Sequence, residues 1–380
     1  MKKPKQKPDW VPAAGGKEYA TTILAGVDGG HDGMDRQSAA TSPAPSPRRK
    51  NLSLDDYVQG VLNKDRMVLA RTITLIESNA RHHLELAQGV LKEILPYTGK
   101  AIRVGITGVP GAGKSTFIDA LGMMLCKKGS RVAVLAVDPS SSLSHGSIMG
   151  DKTRMENLSR EKNCFIRPSP SGGALGGVAR KTRETMLVCE AAGFDVILVE
   201  TVGVGQSESM VSTMVDFFLL LTLTGAGDEL QNIKKGVIEL ADAILINKAD
   251  GDNKIAAQRV RADFDQALHY LSSVTEGWET AAYCCSALTG EGIAEIWDVI
   301  ESFRQQTQAS GLFQKRRRQQ SLNWLEEMVI EQIKSNFYEN PKIQNMREDI
   351  ERRVSDGELP VTAAADLLLQ KFYATKDDVD

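Results

Sequence analysis

The sequence has few of the residues that build disulfide-stabilised or metal-binding proteins. Its five cysteines are an odd number, and they form no Cys-x-x-Cys pair. The composition therefore argues against a disulfide framework, and we expect a protein of the reducing cytoplasm. The histidines fall in no metal-ligand spacing. They are His31, His82, His83, His145 and His269.

Long apolar runs are also missing. The strongest apolar stretch, residues 215–223, is interrupted by Asp216 and Thr222. It is far shorter than the roughly 20 apolar residues that cross a bilayer as a helix. The net charge is −3, whereas a domain that binds nucleic acid is usually basic. We therefore expect neither a membrane nor a nucleic acid among the partners.

Charge is unevenly distributed along the chain. Residues 1–50 carry a charge of +4 and six of the thirteen prolines, whereas the remaining residues carry −7. This first segment has so few large apolar side chains that burial cannot offset its ordering entropy. We predict a disordered tail at residues 1–50.

A helical unit is predicted at residues 51–98, directly after the tail. Ser53 has the chemistry of a helix N-cap. Four apolar residues then recur at helical spacing, which places them on one face of a helix. They are Leu69, Ile73, Ile76 and Ala80.

A second helical extension is predicted at residues 311–380. A basic run at residues 315–318 precedes an apolar stripe, and shorter helices follow at residues 343–354 and 362–372. The stripe is compatible equally with a dimer interface and with packing inside one monomer. It consists of Leu322, Leu325, Val329, Ile333 and Phe337.

Between the two extensions, residues 99–310 alternate short apolar runs with helical segments. Such a pattern is typical of buried strands in a parallel sheet that helices cover on both faces. Polar residues follow the runs, at the edge where such sheets bind ligands. The predicted strands are residues 102–107, 132–138, 194–200, 217–223, 243–247 and 282–285.

A phosphate-binding loop provides the strongest motif. The pattern Gly-x-x-x-x-Gly-Lys-Ser lies between the first predicted strand and a helix, which is the context that this motif requires. Its backbone amides face the phosphates. In this interpretation Lys114 neutralises the β and γ oxygens, and the Ser115 hydroxyl is a Mg²⁺ ligand. The predicted nucleotide-binding residues are Gly108, Val109, Pro110, Gly111, Ala112, Gly113, Lys114, Ser115 and Thr116.

The loop and the alternating pattern together predict the fold class. We expect an α/β protein, namely a P-loop NTPase with a mostly parallel sheet covered by helices. The N-terminal and C-terminal helical segments are extensions of that core.

An Asn-Lys-x-Asp motif at residues 247–250 follows the apolar run at residues 243–246 and indicates the base. Guanine presents two adjacent hydrogen-bond donors, and the Asp250 carboxylate can accept both, whereas adenine lacks this pair. The aliphatic stem of Lys248 covers the base face, and Asn247 begins the motif. Backbone amides after the next strand are predicted to reach the guanine O6. They belong to Ser286, Ala287 and Leu288.

Two acidic residues end apolar strands. Asp138 and Glu200 are placed to hold Mg²⁺, directly or through water, or to orient the attacking water. Glu200 also begins a Glu-x-x-Gly sequence, in which Gly203 could sense the γ-phosphate. The next residue is Val204, where many GTPases have a glutamine that orients the water. We therefore expect slow hydrolysis in the absence of a partner.

The order of these motifs resembles that of the methylmalonyl-CoA mutase-associated GTPases. This family also carries an older label, lysine/arginine/ornithine transport ATPase. The resemblance covers residues 52–375 and is far more specific than the phosphate-binding loop alone. The segments that carry it are residues 105–116, 136–141, 150–155, 166–170 and 200–208.

The resemblance implies a GTP-binding and GTP-hydrolysing chaperone of a cobalamin-dependent acyl-CoA mutase. Members of the family couple the GTP cycle to the delivery of adenosylcobalamin and to the protection of the mutase. The implied cofactors are GTP or GDP and Mg²⁺, with adenosylcobalamin handled only through the partner. The implied partners are the mutase, a cobalamin adenosyltransferase and a second copy of this chain, joined through the C-terminal helices.

The resemblance also implies roles for individual residues. Asp138 and Asp151 match a first switch and Glu200 a second, so these three and Ser115 are the implied Mg²⁺ ligands. Asp228 and Lys234 match a third switch, which couples partner binding to hydrolysis. The implied catalytic residues are Lys114, Asp138, Glu200 and Lys234.

Three other functions stay open at this point. A nickel-insertion GTPase would usually carry a His-rich tract or a Cys/His site, and the sequence shows neither. A kinase of a transport binding protein would need a phosphoacceptor, which the sequence does not identify. A scaffold that binds GTP without useful hydrolysis is compatible with Val204.

Overall fold

The structure is a computed structural model that describes residues 52–137, 155–168, 175–201, 207–224, 235–271 and 273–374. Residues 52–380 form one compact unit. The predicted tail at residues 1–50 lies outside the described residues. The division of the chain into a tail, two helical extensions and a core stays a prediction.

The described residues form a seven-stranded sheet in which every neighbouring pair of strands is parallel. The spatial order is β3-β2-β4-β1-β5-β6-β7. The strands are β1 Ile102–Gly108, β2 Val132–Val137, β3 Cys164–Arg167, β4 Val196–Thr201, β5 Phe217–Thr222, β6 Ala243–Ile246 and β7 Ala282–Cys284.

Helices cover the sheet, and further helices precede and follow it along the chain. Their bounds are α1 Leu54–Leu62, α2 Arg66–Glu77, α3 Arg81–Ile94, α4 Lys114–Lys127, α5 Glu156–Ser159, α6 Leu175–Ala191, α7 Ser207–Ser212, α8 Lys235–Ile238, α9 Lys254–Leu268, α10 Ile293–Ala309, α11 Leu312–Tyr338, α12 Pro341–Ser355 and α13 Val361–Tyr373. None of them, in the part of the chain that the structure describes, is long and apolar enough to cross a membrane.

The predicted fold class is confirmed. All six predicted strands are present, with ends shifted by one or two residues. Their residues are buried almost throughout, which explains why they read as continuous apolar runs rather than alternating ones. The sequence missed one strand, β3, which lies at the edge of the sheet and pairs only with β2 among the described strands.

Three hydrophobic clusters cover the two faces of the sheet in the described residues, and one of them packs α9 against β5 and β6. On one face, helices α1–α3 and α6 pack against β2 and β4, with Ile73, Met186 and Ile197 fully buried. On the other face, α4 and α10 pack through Phe117 and Phe303. The N-terminal helices therefore complete the core of the nucleotide-binding fold and share its apolar interior.

The N-terminal helices follow the predicted pattern with one correction. Ser53 caps α1 in a reciprocal capping box with Asp56, as expected from its position. Leu69, Ile73 and Ile76 are buried on one face of α2. Ala80 was wrongly placed on that face, because α2 ends at Glu77 and Ala80 precedes α3 as its N-cap.

The C-terminal helices lie where the sequence places them. Asn340 caps α12 ahead of Pro341 at its first position, a favoured combination for a helix start. Four residues of the predicted apolar stripe on α11 are 48–61% exposed, namely Leu322, Leu325, Val329 and Ile333. The fifth, Phe337, instead packs against Phe372 of α13 at 5.1 Å between ring centroids.

The start of α11 is fixed to the edge of the sheet at which β5 and β6 begin. Arg317 holds the buried Asp216 with a two-pronged contact, at 2.7 and 2.6 Å. Arg316 contacts the buried Asp242 at 3.3 Å. Two members of the basic run at residues 315–318 are therefore anchors of the C-terminal helices.

Candidate functional site

The phosphate-binding loop connects β1 to α4 at the carboxyl edge of the sheet. At Gly108 the backbone φ is 149°, and a Cβ there would lie 2.1 Å from the Leu221 carbonyl oxygen of β5. At Gly113 φ is 85°, in the left-handed region, directly before the first turn of α4. Both positions thus require glycine. The loop brings the free amides of the α4 N-terminus towards the position of a bound phosphate.

The side chains of Lys114 and Ser115 lie inside this loop. The Lys114 ammonium donates to the carbonyl oxygens of Gly108, at 2.8 Å, and Val109, at 3.3 Å. These contacts hold the cation over the loop, although it is only 8% exposed. The Ser115 hydroxyl donates to Glu200 Oε1 at 2.8 Å. The next residue, Thr116, is exposed.

Glu200 and Ser115 form a pair of oxygen ligands that fits a magnesium ion. Glu200 is 9% exposed and lies in β4 beside β1. One residue further along, the Thr201 hydroxyl donates to the Thr107 hydroxyl at 2.8 Å and ties the ends of these strands together. Hard oxygen donors of this kind are the ligands that Mg²⁺ prefers. The pair could hold the ion next to the phosphates, where it would neutralise charge.

The predicted base-recognition loop, residues 247–250, follows β6, and Asn247 joins it to the phosphate-binding loop. The Asn247 amide nitrogen donates to the Ala112 carbonyl oxygen at 2.8 Å. Its amide oxygen accepts the Ala287 backbone N–H at 3.0 Å. A Cβ at Gly113 would lie 2.6 Å from the same amide nitrogen. Asn247, which is 2% exposed, thus connects all three loops of the predicted nucleotide site.

Asp250 lies at the predicted base position, beside the segment that follows β7. Its carboxylate accepts a hydrogen bond from the Ser286 hydroxyl. The Thr289 backbone N–H donates to that hydroxyl at 3.1 Å, and the Ala249 N–H donates to the Cys285 carbonyl oxygen at 2.9 Å. These contacts hold the carboxylate at the rim of the loop, where it can accept the two guanine donors.

The rim of the base position carries two exposed side chains. Leu288 is 83% exposed. Lys248 is also exposed, and its backbone φ of 58° lies in the left-handed region. The free aliphatic stem of Lys248 is available to cover a base, as the sequence predicts.

The sequence missed one residue of this region. Asn253, three residues beyond the motif, donates from its side-chain amide to the Lys248 carbonyl oxygen at 2.6 Å. No feature of the local sequence signals this contact, because Asn253 lies outside the Asn-Lys-x-Asp pattern.

Several predicted site residues lie outside the described residues. They are Asp138, Asp151, Gly203, Val204, Asp228 and Lys234. Their roles stay predictions. The described residues therefore bring together Lys114, Ser115 and Glu200 on one side of Asn247, and Lys248, Asp250 and the segment 286–288 on the other.

Comparison with known proteins gives a consistent family assignment. A family model described as methylmalonyl Co-A mutase-associated GTPase MeaB matches residues 69–342. The chain is 48% identical to the GTPase ArgK of Escherichia coli over 288 residues, which cover 76% of this chain and 87% of that protein.

A mouse relative and a solved structure agree with this assignment. The mouse methylmalonic aciduria type A homolog, a protein named as mitochondrial, is 46% identical over 329 residues, which cover 84% of this chain and 79% of the relative. The crystal structure of a protein named LAO/AO transport system kinase is 38% identical, with a TM-score of 0.69 over 85% of this chain and 99% of that one. The chain therefore belongs to the methylmalonyl-CoA mutase-associated GTPase family and is a GTP hydrolase.

Proposed function

We propose that this GTPase gates the delivery of adenosylcobalamin to a cobalamin-dependent acyl-CoA mutase of the methylmalonyl-CoA mutase type, and protects that mutase. The observation that carries the proposal is the contact of Asn247 with Ala112 and Ala287. This contact joins a phosphate-binding loop to a loop suited to guanine, in a chain that belongs to a mutase-associated family.

The proposed chemistry uses the residues at the carboxyl edge of the sheet. Lys114 stabilises the charge that develops on the β and γ oxygens, while Ser115 and Glu200 would hold a Mg²⁺ ion that would neutralise further phosphate charge. Asp250 selects guanine. The residues Asp138, Asp151 and Lys234 are proposed to complete the metal site and to link it to the partner.

The proposed partners follow from the family and from the exposed surface. The mutase and a cobalamin adenosyltransferase are the proteins with which the chain would exchange cofactor, so adenosylcobalamin is handled through the partner. We also propose a homodimer through the C-terminal helices. The support is the row of four half-exposed apolar side chains on α11, since such a row is a common interface feature. The proposed location is the cytoplasm.

A protein kinase acting on a transport binding protein is the second candidate. It is favoured by one observation, the name of the solved structure that is 38% identical to this chain. In that case the γ-phosphate would move to another protein rather than to water.

Measurement of GTP turnover with and without purified methylmalonyl-CoA mutase separates these functions. We expect the mutase to accelerate phosphate release and the GTP state to control whether adenosylcobalamin enters it. Lys114→Ala serves as the hydrolysis-deficient control. Turnover that is indifferent to the mutase, with labelled phosphate appearing on a binding protein, would favour the kinase and overturn the proposal.

A further inference from the structure

Asn253 lies at the end of the short 3₁₀ turn Gly251–Asn253, just before α9. Its side-chain nitrogen donates to the Lys248 carbonyl oxygen, and its backbone N–H donates to the Asp250 carbonyl oxygen at 3.0 Å. The residue therefore holds two members of the base-recognition loop, although it is not part of the motif.

The backbone of Lys248 needs such a contact. A left-handed φ is unfavourable for a residue with a side chain. The Asn253 amide supplies a hydrogen bond that is formed only when the Lys248 carbonyl points towards α9. Because Asn253 also donates to the Asp250 carbonyl oxygen, its two contacts together hold the backbone that carries the Asp250 carboxylate.

Thr224 fixes the orientation of the Asn253 side chain. The Thr224 hydroxyl donates to the Asn253 amide oxygen, which leaves the amide nitrogen directed at Lys248. The Lys248 carbonyl oxygen can only accept a hydrogen bond, so the Asn253 side-chain atom that faces it must be the amide nitrogen. Thr224 lies two residues after β5, and the Asn247 N–H donates to Thr222 of that strand at 2.9 Å. The carboxyl end of β5 thus supports the base-recognition loop.

We infer that Asn253 is a positioning residue for guanine recognition, held in place by Thr224. In this inference Asn253 acts through the backbone of Lys248 and Asp250, to which its two donors are bonded. The inference rests on the assignment of the Asn-Lys-x-Asp loop to guanine. It adds a specificity determinant that the motif itself does not contain.

The test compares the affinities for GDP and for IDP, which lacks the 2-amino group of guanine. We expect Asn253→Ala to weaken GDP binding by about five- to tenfold, the loss of one hydrogen bond. The ratio of GDP to IDP affinity should also fall severalfold, because the Asp250 carboxylate is no longer held towards the guanine donors. The turnover number at saturating GTP should stay within about twofold, since Lys114 and Glu200 are unaffected.

Matched variants distinguish positioning from folding. Asp252→Ala changes an exposed side chain in the same turn and should leave the ratio unchanged. Thr224→Val should reproduce part of the effect, and the double variant should be less than additive because both act through one contact. Asn253→Asp keeps the acceptor for Thr224 but cannot donate to Lys248, so it should be at least as harmful as alanine.

The outcomes separate this inference from the base assignment. If the parent protein does not prefer GDP to ADP, the assignment of the loop to guanine is wrong, and the inference falls with it. If the parent has that preference but Asn253→Ala keeps the parent ratio of GDP to IDP affinity, Asn253 is only structural. A change in melting temperature alone would lead to the same conclusion.

Discussion

The two edges of the sheet both carry buried or half-buried carboxylates, but their partners differ. At the amino edge, Asp216 and Asp242 are 1% exposed and are held by arginines of α11 and by backbone amides, and Asp242 also accepts the Thr275 hydroxyl. At the carboxyl edge, Glu200 and Asp250 accept hydrogen bonds from serine hydroxyls.

This difference separates structural from functional acids. An arginine held in a two-pronged contact neutralises the carboxylate permanently. A serine hydroxyl can turn away from the carboxylate towards a metal ion or a ligand. The amino edge is therefore expected to contribute stability, and the carboxyl edge is expected to contribute binding and catalysis.

The largest expected effect is at the amino edge. Arg317→Ala leaves Asp216 buried without its cation, and we expect the free energy of unfolding to fall by about 3–5 kcal/mol. Chemical denaturation measures this loss. The adjacent Arg318 is exposed, so Arg318→Ala is the matched control and should change little. A variant that keeps its stability but loses GTP hydrolysis would contradict the proposed division of roles.

Lys114→Ala tests the opposite edge. Removal of this cation should slow GTP hydrolysis by about a hundredfold or more, because a preorganised charge at the phosphates is lost. Without nucleotide, the melting temperature should stay close to that of the parent protein. Lys127→Ala, at the exposed far end of the same helix, is the control for charge. Unchanged turnover would mean that the loop is misassigned.

Glu184 of α6 sharpens the comparison, because it is largely shielded from solvent and its ion pair is long. The nearest partner, Arg180, lies 3.9 Å away. Burial raises the pKa of the Glu184 carboxyl from 4.5 to about 7, against the opposing effects of Arg180 and Lys181. The folded protein then binds more protons than the unfolded chain, so its stability falls as the pH rises from about 4.5 to about 7.

Glu184→Gln should remove the loss of stability that the parent protein suffers as the pH rises. We expect the variant to exceed the parent in unfolding free energy by on the order of 1 kcal/mol at about pH 8, with a much smaller difference at about pH 5. Denaturation at the two pH values gives the comparison, and Glu326→Gln on exposed α11 is the control. An equal gain in unfolding free energy at both pH values would rule out titration of Glu184 as the cause.

The sequence was sufficient where the signal was local. The phosphate-binding loop and the Asn-Lys-x-Asp loop each lie within a few residues, after strongly apolar strands. The edge strand β3 was missed because Cys164–Arg167 supplies only three apolar residues, too few to give a periodic pattern. Ala80 was misplaced because its spacing continues the helical face of α2 past the end of that helix.

Long-range pairings could not be predicted in this way. The sequence shows only a basic run at residues 315–318, whereas in the structure Arg317 contacts a partner 101 residues away and Arg316 contacts one 74 residues away. The contacts of Asn253 with Lys248 and Thr224 depend on how β5 and β6 lie side by side. Such pairings arise from topology, and spacing along the chain carries no information on them.

The anchoring of α11 has a mechanical consequence. Its 27 residues make a rod about 40 Å long, and its contacts with the edge of the sheet are concentrated in its first two or three turns. Arg316 and Arg317 form the pivot of this helix. They contact the residues that precede β5 and β6, and the opposite ends of these strands support the base-recognition loop. A small rotation at this pivot would displace the four exposed apolar side chains, which lie along the middle of the rod between Leu322 and Ile333.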